Sequence, residues 1–407
     1  MKINRQSSIW ITAMLNRGYA SSAGFVFYCL AVFVVVSGCG NSGGTSTSTT
    51  GGAQSSGGET GFGGGAETGG SPSAGGSRPA GGATGTGGNG VGGNGAGGGL
   101  SCWRPFNDQS PWNSPIAASA VVDPNSATLI SDFSTIAGQT EFWINIEDYS
   151  VPIYWVDSTT TAMVTVQADF GGTGFRTGAT SDSIVPGTGP APIPVGATAA
   201  AGTDRHLAIV DRVLAKEWGF WDAAPGASGW TAGLAATLDL SGTGVRPPER
   251  NTPWWAGHGP RACGFGLING LITADDLRCG AIEHALVVAY SHIKSRYYTA
   301  PASSAQGTTS EALSTRGIPC GGQIQLDPAL DITTLGLTPA GIMIARALQK
   351  YGAFVGDYSG ATSLYGEASA AAQAYFNGGV LDNGSAQPIP LKKFRVLQIG
   401  TTYDNGN

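Results

Sequence analysis

His206-Leu-Ala-Ile-Val-Asp211 and Lys216-Glu-Trp-Gly-Phe-Trp221 decide the fold class of this chain. Each is a short apolar and aromatic run, and only Arg212 to Ala215 separate them. They read as two strands joined by a short turn. Side chains alternate across a strand, so His206, Ala208 and Val210 share one face and Leu207, Ile209 and Asp211 the other. In the second run Glu217, Gly219 and Trp221 share a face, opposite Trp218, Phe220 and Asp222.

The same pattern recurs outward from this pair. Strands are expected at 163–166, 283–290, 322–326, 353–357, 362–365 and 394–399. Helix signals are few. Asp123-Pro124 opens one helix, expected to run to about Phe133. Thr273 with Asp276 resembles a capping box for a short helix that stops at Gly280. Thr338-Pro339 starts a third, with Ile342, Ala345 and Leu348 at helical spacing and Gly352 at its end. Regular helices between the strands are missing, which argues against a parallel α/β fold. The expectation is a mainly β domain, a β-sandwich or jelly-roll-like fold with a few short flanking helices.

That domain should occupy residues 101–407. Before it, residues 39–100 hold most of a Gly/Ser/Thr stretch in a chain with 66 glycines. Such a stretch has almost no apolar side chain to bury and is expected to be a disordered tether. Residues 1–38 read as a signal peptide: Lys2, Arg5 and Arg17 precede an uncharged apolar run from Phe25 to Val36. At about twelve residues the run is short for a membrane span. It ends in Val36-Ser37-Gly38-Cys39, which resembles the lipobox of bacterial lipoproteins, with Val36 where those proteins prefer Leu. The resemblance implies acylation of Cys39 and export. Gly40, in place of a retention Asp, implies the outer membrane or the cell surface, with the membrane as a partner through the lipid.

Charged residues make up 12% of the chain and its net charge is −6. No basic stripe is present, so nucleic acid is not an expected partner. Cys102, Cys263, Cys279 and Cys320 in an exported domain suggest two disulfides with three possible connectivities. The expected pairs are Cys263–Cys279 and Cys102–Cys320. No CxxC pair or Cys/His spacing suits a metal, and no P-loop, GxSxG, HExxH or dinucleotide fingerprint occurs, so neither metal nor cofactor is expected.

From Cys102 onward the chain resembles a family of exported bacterial proteins without an assigned activity. The stretches that carry the resemblance are Ser110-Pro-Trp-Asn113, Asp204-Arg-His-Leu-Ala-Ile-Val-Asp211, Glu217-Trp-Gly-Phe-Trp-Asp222, Gly264-Phe-Gly-Leu-Ile-Asn-Gly-Leu-Ile272, Ile282-Glu-His-Ala-Leu286, Leu326-Asp-Pro328 and Tyr351-Gly-Ala-Phe-Val-Gly-Asp357. It implies an exported domain and assigns no residue a role.

The candidate chemistry is polar residues inside apolar strands, together with ten Trp and twelve Tyr that offer flat surface for sugar rings as well as core packing. An extracellular polysaccharide is the expected partner. In a lyase, His206 or His284 would act as base, Tyr290 as acid, and Arg205 or Arg261 would neutralise a uronate carboxylate. His206 and His284 would frame one site if their strands are neighbours. In a glycoside hydrolase, Glu217 would work with Asp211, Asp222 or Glu283. Trp218, Trp221 and the turn bearing Trp254, Trp255 and His258 are candidates for lining the substrate. Each of these residues also has a structural reading, as core or as a solvated face. The rival classes are a non-catalytic carbohydrate-binding or adhesion lipoprotein and a structural envelope protein.

Overall fold

The computed structural model describes residues 102–135, 140–168, 175–176, 184–185, 188–246, 259–305, 316–369, 372–373, 376 and 380–404. The leader, Cys39, the glycine-rich stretch, and Trp254, Trp255 and His258 lie outside the described residues.

The two opening runs form an antiparallel hairpin, Leu207–Asp211 against Lys216–Trp221, with Ile209 opposite Trp218 and Val210 opposite Glu217. Leu234–Asp239 extends the sheet beyond Lys216–Trp221, and Ile153–Val156 pairs in parallel with Leu207–Asp211. This sheet has six strands. Every residue of Leu207–Asp211 is buried because both faces of the strand are covered. Ala208 and Val210 enter a large hydrophobic core, while Leu207 and Ile209 enter a smaller one with Trp218 and Phe220. Continuous apolar runs are what a strand covered on both sides requires.

A four-stranded sheet, Thr188–Ala191, Val164–Ala168, Gly229–Ala232 and Ala224–Gly226, supplies Val166, Ala168, Ala191 and Ala232 to the smaller core. A second six-stranded sheet contributes to the large core. Its order is Trp143–Asn145, Ser363–Tyr365, Leu286–Ala289, Ala353–Asp357, Gln323–Leu326 and Phe394–Val396. The domain is mainly β with few short helices, as expected. Its sheets are mixed: Trp143–Asn145 runs parallel to Ser363–Tyr365, and Leu286–Ala289 parallel to Ala353–Asp357.

Two helices fall where their caps placed them, and the first begins at Ser126, two residues after the expected Pro124. Ser126–Thr135 buries Ile130 and Phe133. In Ala274–Cys279, Thr273 and Asp276 make the reciprocal capping box, and Gly280 closes the helix at φ 75°. Pro339–Lys350 is capped by Thr338 on Gly341 N and buries Ile344, Ala345 and Leu348.

The disulfide pairing differs from the expectation. Cys102 joins Cys279, and Cys263 joins Cys320, with Cα separations of 5.9 and 5.4 Å. One strand explains the second pair: Cys263 N donates to Gly356 O, and Gly321 N, next to Cys320, donates to Val355 O. Both cysteines are thus hung on Ala353–Asp357. Two disulfides mark an exported chain, outside the reducing cytoplasm. No helix among the described residues is long and apolar enough to cross a membrane.

Candidate active site

Arg261 is wholly buried. Its guanidinium stacks on the Tyr365 ring at 4.0 Å, approaches Asp357 Oδ2 at 3.7 Å through Nη1 and donates from Nη2 to Leu267 O at 3.4 Å. Nε and Nη1 make no hydrogen bond. A buried guanidinium needs countercharge, and carboxylates from both six-stranded sheets surround it. Asp357 ends the strand Ala353–Asp357, where a bulge at Val288/Ala289 shifts the register of its neighbour. Asp204 lies just before Leu207–Asp211, accepts a hydrogen bond from the Trp221 side chain and feels the Arg261 charge.

These surroundings push the carboxyl groups apart. Burial lifts Asp357 to about 7, aided by Asp204 and opposed by Arg261. Burial also raises Asp204, but that residue is half-buried, and Trp221 and Arg261 pull it back down. Of the two aspartates, Asp357 is the one held far above the ordinary carboxyl range. Behind them Glu217 is raised to about 6 by burial, against the Leu267 and Ile268 backbone N–H groups, Arg246 and Arg261. Burial lowers Arg246 to about 10. Arg246 and Arg261 thus face three carboxyl groups, Asp204, Glu217 and Asp357. Two positive charges oppose three carboxyl groups, and burial holds Glu217 and Asp357 above the ordinary carboxyl range.

The backbone at Asp204 is strained. Tyr149 at φ 57°, Arg205 at φ 40° and Asp222 at φ 56° are non-glycine residues in left-handed conformations. All three meet here: Tyr149 N donates to Ala201 O, Asp222 N donates to Asp204 O, and the Arg205 side chain bonds Asp222. Each such residue costs on the order of 1–3 kcal/mol, and strain of this kind collects at functional sites.

The expected site residues separate into two groups. Arg261 is central, Trp221 orients Asp204, and Arg205 lies on the rim, ion-paired with Asp222. His206 lies against the cluster, but burial and then Arg261 lower it to about 3, opposed by hydrogen bonding of the ring to the backbone carbonyls of Ser150 and Pro260. A neutral, 1%-exposed imidazole is a poor base. Glu217 belongs to the cluster electrostatically. Its role is to hold the segment after Gly264: Oε1 accepts from Leu267 N at 2.7 Å. Space for it exists because residues 219 and 266 are glycines; a Cβ on Gly266 would lie 2.6 Å from Oε2.

The remaining candidates are corrected by their placement. His206 and His284 do not frame one site, because their strands belong to different sheets. His284 Nε2 lies 3.4 Å from Asp276 Oδ2 and Nδ1 lies 2.9 Å from Ala285 O, which ties it to the capping box. Asp276 and hydrogen bonding raise its pKa against the opposing effect of burial, the largest single influence. Tyr290 is a core residue edge-on to Phe133, and its hydroxyl accepts from Ile318 N at 2.6 Å. Burial lifts that hydroxyl far above the ordinary tyrosine range. Trp218 packs in the smaller core with 4% exposure. Asp211 caps the hairpin turn through Val213 N and Leu214 N. Asp204, Asp357 and Tyr365 were not expected. The available signal was position: Asp357 and Tyr365 each end an apolar strand, and Asp204 lies shortly before one.

Among the described residues, no group of three or more His, Cys, Asp or Glu is placed to hold a metal ion. Comparison with known protein families, curated proteins and solved structures finds no match for this chain.

Proposed function

We propose that this is a lipid-anchored, surface-exposed glycoside hydrolase acting on an extracellular polysaccharide, with Asp357 as general acid and Asp204 as base or nucleophile. The observation that carries the reading is two carboxyl groups brought to one wholly buried arginine, Asp357 at 3.7 Å from its Nη1 and raised to about 7 by burial, and Asp204 held by the Trp221 side chain. Unequal acidity of two carboxyl groups is what glycoside hydrolysis requires. Protonated Asp357 gives its proton to the glycosidic oxygen as the C–O bond breaks. Ionised Asp204 activates the water that adds at the sugar carbon, or forms the bond itself and releases it to water. Hydrolysis is favoured over elimination on charge grounds. A lyase must present a free cation to the uronate, yet Arg261 faces more carboxyl groups than it can balance and Arg205 is paired with Asp222. The Cys39 lipobox supports anchoring at the outer membrane or cell surface, with the glycine-rich stretch giving reach.

The test is incubation of the exported chain with neutral and uronate polysaccharides, reading reducing ends and the ultraviolet absorbance of unsaturated uronates. New reducing ends without absorbance are expected. Absorbance would establish elimination, and retention on a glycan column without cleavage would establish a binding protein. Either would overturn the hydrolase reading.

A further inference from the structure

We infer that Tyr149 and Tyr358 are sugar-stacking platforms of the Asp204–Asp357 site, and that the site therefore takes a stretch of neutral polysaccharide rather than a single sugar. The inference deepens the hydrolase reading and rests on its choice of site. Most aromatic side chains of the domain are core: Trp112, Phe133, Phe142, Phe220 and Phe265 are almost fully buried. Tyr149 and Tyr358 remain 40% and 44% exposed. Each is tied to one of the two carboxyl-bearing segments. Tyr358 directly follows Asp357, and its N–H bonds Asp357 Oδ1 at 3.0 Å. The Tyr149 ring lies over Gly202, two residues before Asp204, so closely that a Cβ there would fall 2.9 Å from Cε1.

Position 202 is thus held as glycine by the ring above it, and Tyr149 is held in a left-handed conformation that its side chain disfavours. Packing on Gly202 covers one side of the ring and leaves the residue 40% exposed, so core burial alone gives no reason for that arrangement. A stacking role does. Flat apolar faces with a polar tip suit a sugar's C–H face and its hydroxyls. Neither ring carries charge, and the nearby cations are already partnered, Arg205 with Asp222 and Arg261 with Asp357, so a neutral sugar chain fits and a polyanion finds no free cation.

Native affinity gels test this with the exported chain and its cleavage-deficient Asp357→Asn variant. The probes are hydroxyethylcellulose, galactomannan and dextran, with polygalacturonate as the anionic comparison. Retardation is expected in at least one neutral gel. Tyr149→Ala and Tyr358→Ala should each weaken it about tenfold, and Tyr149→Phe and Tyr358→Phe should retain it. Trp155→Ala, a partly exposed aromatic stacked on Arg212, should change nothing. In cleavage assays the Ala variants should raise KM with kcat little changed, and melting curves should show them folded. Wild-type cleavage that is indifferent to both Ala variants overturns the platforms and leaves the hydrolase reading standing. Tyrosine-dependent retardation without any cleavage overturns the hydrolase reading and leaves the platforms. Retardation in polygalacturonate alone, or in none of the gels, overturns the inference.

Discussion

Replacing Asp357 by Asn should abolish activity while making the protein more stable at alkaline pH. Asn imitates the protonated acid and keeps its size. Burial holds Asp357 at about 7 against an ordinary value of 3.8. Below the unfolded value both states carry the proton and the full stability is present. As pH rises from about 4 towards 7, the unfolded chain ionises and the folded one does not, so wild-type stability falls. The gap is worth about 4 kcal/mol at about 1.36 kcal/mol per pH decade. Above pH 8, Asp357→Asn should therefore exceed wild type by up to about 4 kcal/mol, or on the order of 8 °C in melting temperature for a domain of this size. At pH 4 the two should melt together. Thermal melts monitored by circular dichroism at pH 4, 6 and 8 suffice. A variant less stable than wild type throughout would show that ionised Asp357 serves chiefly as the countercharge of Arg261, and the general-acid assignment would fail. A residue that costs stability and gives activity is a familiar signature of an active site.

Gly266→Ala should destabilise the domain by about 1–3 kcal/mol, since the added Cβ would lie 2.6 Å from Glu217 Oε2 and 2.7 Å from Leu238 Cδ2; urea unfolding measures it, and an unchanged midpoint would refute the packing described. His284 carries a raised pKa, so its contribution is complete below the unfolded value near 6.5 and is lost as pH rises through the folded value. His284→Gln should therefore lose stability at pH 5.5 and lose less at pH 9, which paired melts would show. Cys263→Ser with Cys320→Ser should cost about 2–5 kcal/mol, and peptide mapping of the unreduced wild type should recover Cys102–Cys279 and Cys263–Cys320 linked.

Local signals were the readable ones. The capping box at Thr273 and Asp276, Pro339 behind Thr338, and the hairpin around Arg212 depend on residues within a few positions of each other, so their consequences show in the sequence. The parallel pairings were hidden, because Leu286–Ala289 finds Ala353–Asp357 through the packing of a long intervening segment. The same cause misled the disulfide pairing, which follows from two loops bonding one strand. Arg261 was legible as a candidate and Trp221 as a site aromatic. Asp204 and Asp357 were not, since only the folded chain brings two distant strand ends around one guanidinium. His206, His284 and Tyr290 stood out as polar groups in apolar runs, and in two of the three the reason is structural: a helix cap for His284 and a core hydroxyl on Ile318 for Tyr290.

The most direct measurement is the pH profile of reducing-end release by wild type, Asp204→Asn and Asp357→Asn on a neutral polysaccharide that the wild type cleaves. The expected wild-type rate falls on the alkaline side around pH 7, as Asp357 loses its proton, and both variants lose roughly a hundredfold or more at the wild-type optimum. Comparable rates in either variant, or a wild-type profile flat through pH 7, would contradict the assignment of acid and base to these two carboxyl groups.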